Sequence, residues 1–299
     1  MPLFRPRRLS QQAGRFAMVD TIPFQMPVQS MKSAAIVAAF PIDASKAGAL
    51  MEGNEVHPLR LWNKGLLILT VVDYRETNIG KYVEYTIGIA CTHGHRPAPR
   101  LLPVLLGGLY GTGAWVTHMP VSTLISVKGG LGIWGMPKHQ ANLNFIETDR
   151  VVSSQYDLDG HLAAYLEIAR PRRIWMPVTF GSTGYSSFRG LMTKSTVYMK
   201  GKAGVALFKK GSARLVIGDS PRTAALKTIG LEADNPVAVM YFPQVTGILD
   251  DHFETWFVSH KKQLEHPPPG LQEVVNLPLN QDWLPPPSAP IPGGISLVR

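Results

Sequence analysis

The sequence of 299 residues has little cysteine and little charge. Its one cysteine, Cys91, has no partner for an internal disulfide, and there is no set of thiolates to hold a structural zinc ion. A reducing, cytoplasmic location is therefore the default expectation. Charged residues make up 17% of the chain and hydrophobic residues 45%, so the composition predicts a large folded core and excludes a disordered protein.

Acidic residues are also scarce relative to basic ones, because 30 Lys and Arg stand against 21 Asp and Glu, for a net charge of +9. Most of the basic residues are scattered and are not interleaved with aromatics, which argues against binding to nucleic acid. The exception is the start of the chain, where four arginines precede the first acidic residue, Asp20. We interpret residues 1–26 as an arginine-rich arm that is mobile or wraps a neighbouring subunit.

A long charge-free stretch, residues 101–127, has the length of a membrane span. Prolines and glycines such as Pro103, Gly107 and Pro120 would interrupt a helix there repeatedly. The stretch therefore predicts buried strands and tight turns, and no membrane is expected as a partner.

Short apolar or alternating runs separated by Gly and Pro dominate the rest of the chain, which is typical of a mainly β protein. Helices are predicted after Asp43 as far as residue 51, after Ser220 as far as Gly230, and over residues 250–263. Residues 264–299 form a proline-rich tail that is expected to lie on a surface, with Trp283 favouring packing. The predicted strands are 66–72, 82–90, 122–127, 141–146, 162–168, 197–199, 205–208, 215–217 and 237–242.

Two motifs point to chemistry that their context does not favour. Residues 130–135 match G-x-G-x-x-G, but a dinucleotide site needs a helix to begin there, and residues 141–146 alternate as a strand does. His93 and His95 have the spacing of a small metal site, and a third histidine could complete it. Because the two flank a glycine in a proline-containing loop, we expect turn residues, and metal-assisted hydrolysis stays an alternative.

Two other segments favour a catalytic cavity. Lys138 follows a run of apolar residues, and burial of a lysine costs free energy unless the amine is used or reaches water by snorkelling. Strand alternation over residues 80–90 places Tyr82, Glu84 and Thr86 on one face and apolar side chains on the other. A face with one carboxylate among small residues predicts the wall of an enclosed cavity.

Together these segments resemble the acetoacetate decarboxylase family. The motifs are Gly80-x-Tyr82-x-Glu84 and, some fifty residues later, Trp134-Gly-x-Pro137-Lys138. The resemblance implies a mostly antiparallel β-barrel or cone with few helices, formed by residues 27–263, and a homo-oligomer. It also implies that Lys138 forms a Schiff base with a small keto acid and that Glu84 faces it as the acid or base. Neither a metal nor an organic cofactor is expected, since the protonated imine is itself the electron sink.

Five further residues are candidates for substrate binding. Lys32 lies near the position of the arginine that holds the substrate carboxylate in the family, and His139 stands where the family has a second lysine. Tyr82, Trp134 and Met136 are predicted to line the cavity. The predicted reaction is decarboxylation of an acetoacetate-like β-keto acid. The alternatives are an aldolase-dehydratase acting on a pyruvate-like substrate through the same imine, and a binding protein without catalysis.

Overall fold

Strands dominate the computed structural model, which describes residues 6, 7, 9, 14–171 and 176–260. The helices are α1 (Ala44–Gly48), α2 (Leu102–Leu105), α3 (Leu124–Trp134) and a 3₁₀ helix (Pro221–Thr228). The strands are β1 (Arg15–Val19), β2 (Ile22–Met26), β3 (Val28–Asp43), β4 (Val56–Pro58), β5 (Lys64–Thr77), β6 (Tyr82–His93), β7 (Gly113–Val121), β8 (Lys138–Gln140), β9 (Asn142–Leu143), β10 (Ile146–Glu147), β11 (Val151–Leu158), β12 (His161–Ala169), β13 (Met176–Phe188), β14 (Leu191–Leu207), β15 (Ala213–Ile217), β16 (Ala238–Leu249) and β17 (Glu254–Phe257).

The centre of the molecule is a barrel closed by strand pairing. The hydrogen-bonded order is β6, β5, β3, β16, β14, β13 and β7, and β7 pairs again with β6. All neighbours in this ring are antiparallel except β7 and β13, which are parallel. This arrangement confirms the predicted fold class, a mostly antiparallel β protein with few helices.

A smaller sheet, in the order β10, β11, β12 and β15, packs against the outside of the barrel. The main hydrophobic core lies between the two, where Leu69 and Ile87 of the barrel meet Tyr156 and Leu166 of the smaller sheet. Since successive strand residues point to opposite faces, the odd-numbered residues of β5 and β6 fill this core. The even-numbered residues of both strands then face the barrel interior.

The helical predictions have mixed outcomes. Asp43 does cap α1, because its side chain accepts hydrogen bonds from the backbone N–H groups of Ser45 and Lys46. The segment after Ser220 is a 3₁₀ helix. The helix predicted over residues 250–263 is wrong: Glu254–Phe257 is strand β17, which extends the sheet by pairing with β14. Residues 261–263 of that prediction, and the proline-rich tail with Trp283, lie outside the described residues.

The charge-free stretch holds α2, β7 and the start of α3, so the strand predicted over residues 122–127 is wrong. No helix in the described part of the chain has both the length and the apolar character to cross a membrane. Helix α3 forms because tertiary packing favours it over the low helix propensity of its glycines. A Cβ on Gly129 would lie 2.7 Å from the ring of Phe24, and one on Gly132 would lie 2.5 Å from Val19 Cγ1.

Those two contacts come from the hairpin of β1 and β2, which packs on α3. Phe24 of this hairpin is buried, with 2% of its surface exposed. Residues 14–26 therefore fold against the barrel, although the sequence assigned them to an arm.

Candidate active site

Helix α3 and strand β8 together position Lys138. Gly135 ends the helix in the left-handed conformation, with φ 62°, a geometry that favours glycine. The chain then turns through Met136 into β8, which pairs in parallel with β7. The stem of Lys138 crosses α3 at Gly130, where a Cβ would lie only 2.3 Å from Lys138 Cδ. The glycine motif of residues 130–135 therefore stands at the end of a helix, not at its beginning, and allows close packing.

The Lys138 amine has two polar partners. Its Nζ lies 2.7 Å from Glu84 Oε2 and 3.0 Å from Ser126 Oγ. The side chain of Lys138 is 6% exposed, that of Glu84 is 13% exposed, and Ser126 is fully buried. The Tyr82 ring lies beside the amine, with its centroid 5.6 Å from Nζ. Lys138 and Glu84 thus form a largely buried ion pair. A proton can pass directly from one side chain to the other along the hydrogen bond that joins them.

Two tyrosines complete the polar surroundings of Glu84. Tyr74 and Tyr82 stack with ring centroids 4.4 Å apart. Burial, reinforced by the nearby Glu84 carboxylate, raises the pKa of both phenols well above the ordinary value. Both hydroxyls consequently stay protonated at neutral pH, with that of Tyr74 close to Glu84 and that of Tyr82 close to Ser126.

The barrel interior holds a cavity with two adjoining lobes of about 70 and 130 Å³. The first lobe surrounds the Lys138 amine, and the second continues along β5 and β6 past Glu84. The walls of both lobes are mainly apolar. Both lobes are lined by Tyr74, Glu84, Met119, Met136, Val197 and Met199.

Of the residues predicted from the sequence, the structure brings four together in this cavity: Lys138, Glu84, Tyr82 and Met136. Lys32 does not join them, because a β-bulge interrupts β3 at this residue. Ser30 and Ser33, three residues apart, both face the cavity, with their Oγ atoms 2.5 Å from each other. Lys32 is left exposed to solvent, so the predicted carboxylate contact has no basis in the structure.

Trp134 and His139 also lie away from the cavity. The buried indole of Trp134 donates a hydrogen bond from Nε1 to the backbone oxygen of Asp250, 3.1 Å away. His139 points to the opposite face of β8 from Lys138, as strand alternation requires, and its Nε2 is 2.7 Å from the Tyr156 hydroxyl. Burial lowers the pKa of His139 to about 4, with the nearby Arg222 charge as a second cause.

The two histidines of the possible metal motif are placed differently. His93 stacks on Tyr185, with ring centroids 5.7 Å apart, and its ring is tilted against that of Trp256, with centroids 4.9 Å apart. His95 is exposed. The described ranges contain no group of three or more His, Cys, Asp or Glu side chains arranged to hold a metal ion.

Sequence reasoning missed Ser126 and Tyr74. Ser126 was assigned to a strand, and only the helical geometry of α3 turns its hydroxyl toward Lys138. Tyr74 had a usable signal, since Ile68, Thr70, Val72 and Tyr74 alternate along β5 as Tyr82 and Glu84 do along β6.

Comparison with known proteins supports the resemblance. The model of the acetoacetate decarboxylase family matches residues 12–174, more than half of the chain. The chain belongs to the acetoacetate decarboxylase family. The match begins within the residues that the sequence assigned to an arm, in agreement with the packing of the hairpin. No curated protein matches the chain.

Solved structures with the same fold include enzymes of different names. The acetoacetate decarboxylase of Legionella pneumophila has a TM-score of 0.56 at 12% identity, over 86% of this chain and 93% of that one. The enduracididine biosynthesis enzyme MppR, complexed with pyruvate, has a TM-score of 0.56 at 10% identity, over 79% and 92%. MppR with the condensation product of pyruvate and imidazole 4-carboxaldehyde has a TM-score of 0.53 at 10% identity, over 77% and 88%. At these identities the likeness is one of fold.

Proposed function

We propose that this family member is a carbon–carbon lyase that forms an imine between Lys138 and the carbonyl carbon of a small keto compound. The observation that carries the proposal is the largely buried ion pair of Lys138 and Glu84, 2.7 Å long, in the wall of the cavity inside the barrel. A lysine with an ordinary pKa is almost fully protonated at neutral pH, and only the neutral amine attacks a carbonyl. A carboxylate within hydrogen-bond reach of that amine can accept its proton.

The proposed steps follow from this pair. Glu84 takes a proton from the Lys138 ammonium, and the neutral Nζ forms a bond to the carbonyl carbon. The former carbonyl oxygen takes up the proton on Glu84 and a second proton that Nζ gives up after the addition, and it leaves as water. The nitrogen lone pair then completes the carbon–nitrogen double bond of the iminium ion. Ser126 Oγ, 3.0 Å from Nζ, holds the amine in position throughout.

The iminium ion is an electron sink for the next step. In a β-keto acid the carbon–carbon bond to the carboxylate breaks, carbon dioxide leaves, and its electron pair forms an enamine. In the aldol alternative Glu84 removes an α-proton instead, and the enamine attacks a second carbonyl compound before water is lost. Two of the similar structures support these alternatives by name: one is an acetoacetate decarboxylase, and the other holds the condensation product of pyruvate and imidazole 4-carboxaldehyde. Decarboxylation is our first proposal because it needs one substrate and the one acid–base residue beside the amine.

The test is reduction with borohydride in the presence of acetoacetate, pyruvate or a longer 3-keto acid, followed by peptide mass spectrometry. We expect a reduced adduct on Lys138 in the wild type and none in Lys138→Ala. Lys128→Ala is the matched control, since Lys128 lies on α3, is exposed and pairs with Asp20. Its adduct should equal that of the wild type.

Product analysis separates the reactions. Release of carbon dioxide from acetoacetate supports decarboxylation, and a condensation product from pyruvate and an aldehyde supports the aldol alternative. A folded wild-type protein that forms no adduct with any of these carbonyl compounds would overturn the Schiff-base proposal and leave a binding protein.

A further inference from the structure

The second lobe of the cavity indicates what the substrate carries beyond its reacting carbon, provided that the proposed imine chemistry is correct. Small residues keep this lobe open. A Cβ on Gly88 would lie 3.1 Å from Ala114 Cβ, and one on Gly184 would lie 3.5 Å from Val116 Cγ2. Both glycines line the second lobe, so larger side chains at these positions would take up part of the volume that is left for a ligand.

Hydroxyl groups mark the wall of this lobe. Thr70 of β5 and Thr86 of β6 are direct register partners, and Ser195 of β14 is 6% exposed. Within the described ranges none of these three hydroxyls forms a hydrogen bond with the protein. Thr183, in contrast, lies 3.3 Å from the hydroxyl of Thr196. The three free hydroxyls can therefore donate to, and accept from, a bound molecule.

Charge is nearly absent from the same wall. Among the described residues that line the second lobe, Glu84 is the only Asp, Glu, Lys or Arg. A carboxylate placed there would lose its hydration without a basic partner and would stand near another carboxyl group. Burial of an uncharged oxygen, as in a hydroxyl or a carbonyl group, costs much less free energy, and such an oxygen can form hydrogen bonds with the free hydroxyls.

We propose that the substrate of Lys138 has an uncharged, oxygen-bearing chain that occupies this lobe. The volume of 130 Å³ sets its size. An engineered cavity of about 150 Å³ holds benzene, so the lobe takes about five non-hydrogen atoms. The substrate class is thus a carbonyl compound with a short hydroxylated or oxygenated chain, rather than one with a second carboxylate.

Three methyl ketones that differ only at the far end test the proposal: 5-hydroxy-2-pentanone, 2-hexanone and 4-oxopentanoate. The readout is the rate of borohydride-trapped adduct at Lys138. We expect the hydroxy ketone to be trapped about fivefold faster than 2-hexanone, the factor of one modest hydrogen bond. The carboxylate should be trapped about a hundredfold more slowly than 2-hexanone, because its burial is uncompensated.

Variants of the threonines in the second lobe test whether this lobe causes the preference for the hydroxy ketone. Thr70→Val and Thr86→Val keep the side-chain volume, and at least one of them should reduce the preference for the hydroxy ketone over 2-hexanone to near one. Thr246→Val, at an exposed site of β16, is the control and should leave the preference unchanged.

The outcomes distinguish the two proposals. If no ketone and no keto acid forms an adduct, the imine chemistry itself is wrong. If adducts form on Lys138 but 4-oxopentanoate is trapped as fast as the hydroxy ketone, the imine chemistry stands and the substrate class is wrong. An unchanged preference in both threonine variants also rejects the assignment of the lobe.

Discussion

At the scale of single residues, the geometry of the site depends on a glycine that has no chemistry of its own. Gly130 lets the Lys138 stem pass directly over the backbone of α3, and a Cβ there would lie 2.3 Å from Cδ and 2.6 Å from Cε. The side chain that must move is the one that carries the amine. Its displacement would separate Nζ from both Glu84 and Ser126.

Gly130→Ala should therefore reduce imine formation while the protein stays folded. A misplacement of about 1 Å at a reacting group can cost about a hundredfold in rate, and we expect a loss of that order in borohydride trapping of acetoacetate. Gly108→Ala is the control, because a Cβ on Gly108 meets no atom within 4 Å. Equal trapping rates in the wild type and the Gly130 variant would show that the amine does not need this packing.

Residue patterns in the sequence predicted Lys138, Glu84, Tyr82 and Met136 as site residues, and the structure brings these four side chains to one cavity. Alternation and an apolar neighbourhood are local properties of the chain, so they can be seen in the sequence. Lys32, proposed only from the family resemblance, lies away from the cavity because the pairing of β3 with β5 is irregular on both sides of this residue. The local sequence contains no feature that predicts this irregularity. The same limit applies to Ser126, which reaches Lys138 only from a helix.

At the scale of elements, helix α3 shows tertiary packing overriding propensity. Its glycines disfavour an isolated helix by roughly 1 kcal/mol each relative to alanine, and the sequence predicted a strand and a turn. The helix is nevertheless held between β8 and the hairpin of β1 and β2. Phe24 is the main contact from the hairpin, since its ring lies against Gly129.

Phe24→Ala should destabilise the protein by about 3–5 kcal/mol, because it removes a large buried side chain and leaves a cavity beside α3. Phe16→Ala is a matched control in the same hairpin, since Phe16 is 61% exposed. Its effect should stay within about 0.5 kcal/mol. The measurement is the midpoint of urea unfolding, and similar midpoints for the two variants would contradict a supporting role of the hairpin.

At the scale of the whole molecule, the alternation of side chains along β5 and β6 separates the hydrophobic core from the cavity. Odd-numbered residues build the core under the smaller sheet, and even-numbered residues line the cavity. The sequence predicted these faces for β6, predicted only a strand for β5 and, through the family resemblance, predicted the class of fold. It did not show which strands close the barrel, because the pairings of β7 with β6 and β13 join segments distant in the chain.

The hydrogen bond between His139 and Tyr156 links the barrel to the smaller sheet. Because the His139 imidazole can be protonated, the stability of the whole protein depends on pH through this residue. The pKa of His139 falls from 6.5 to about 4 on folding, mainly through burial. Between pH 4 and pH 6.5, His139 is therefore mostly protonated in the unfolded chain and mostly neutral in the folded chain. Stability from this residue is fully present above pH 6.5 and is lost as the pH falls from 6.5 toward 4.

His139→Gln keeps a hydrogen-bonding side chain but cannot take up that proton, so its stability should fall less in acid. With a discount for partial exposure, the drop in unfolding free energy between pH 7 and pH 5 should be smaller by about 1–2 kcal/mol than in the wild type. Burial also lowers the pKa of His93 and His118, but both are present in each protein and cancel in the comparison. Parallel pH profiles from urea unfolding would show that His139 accepts its proton in the folded state, and the link between the two sheets would then not depend on a neutral imidazole.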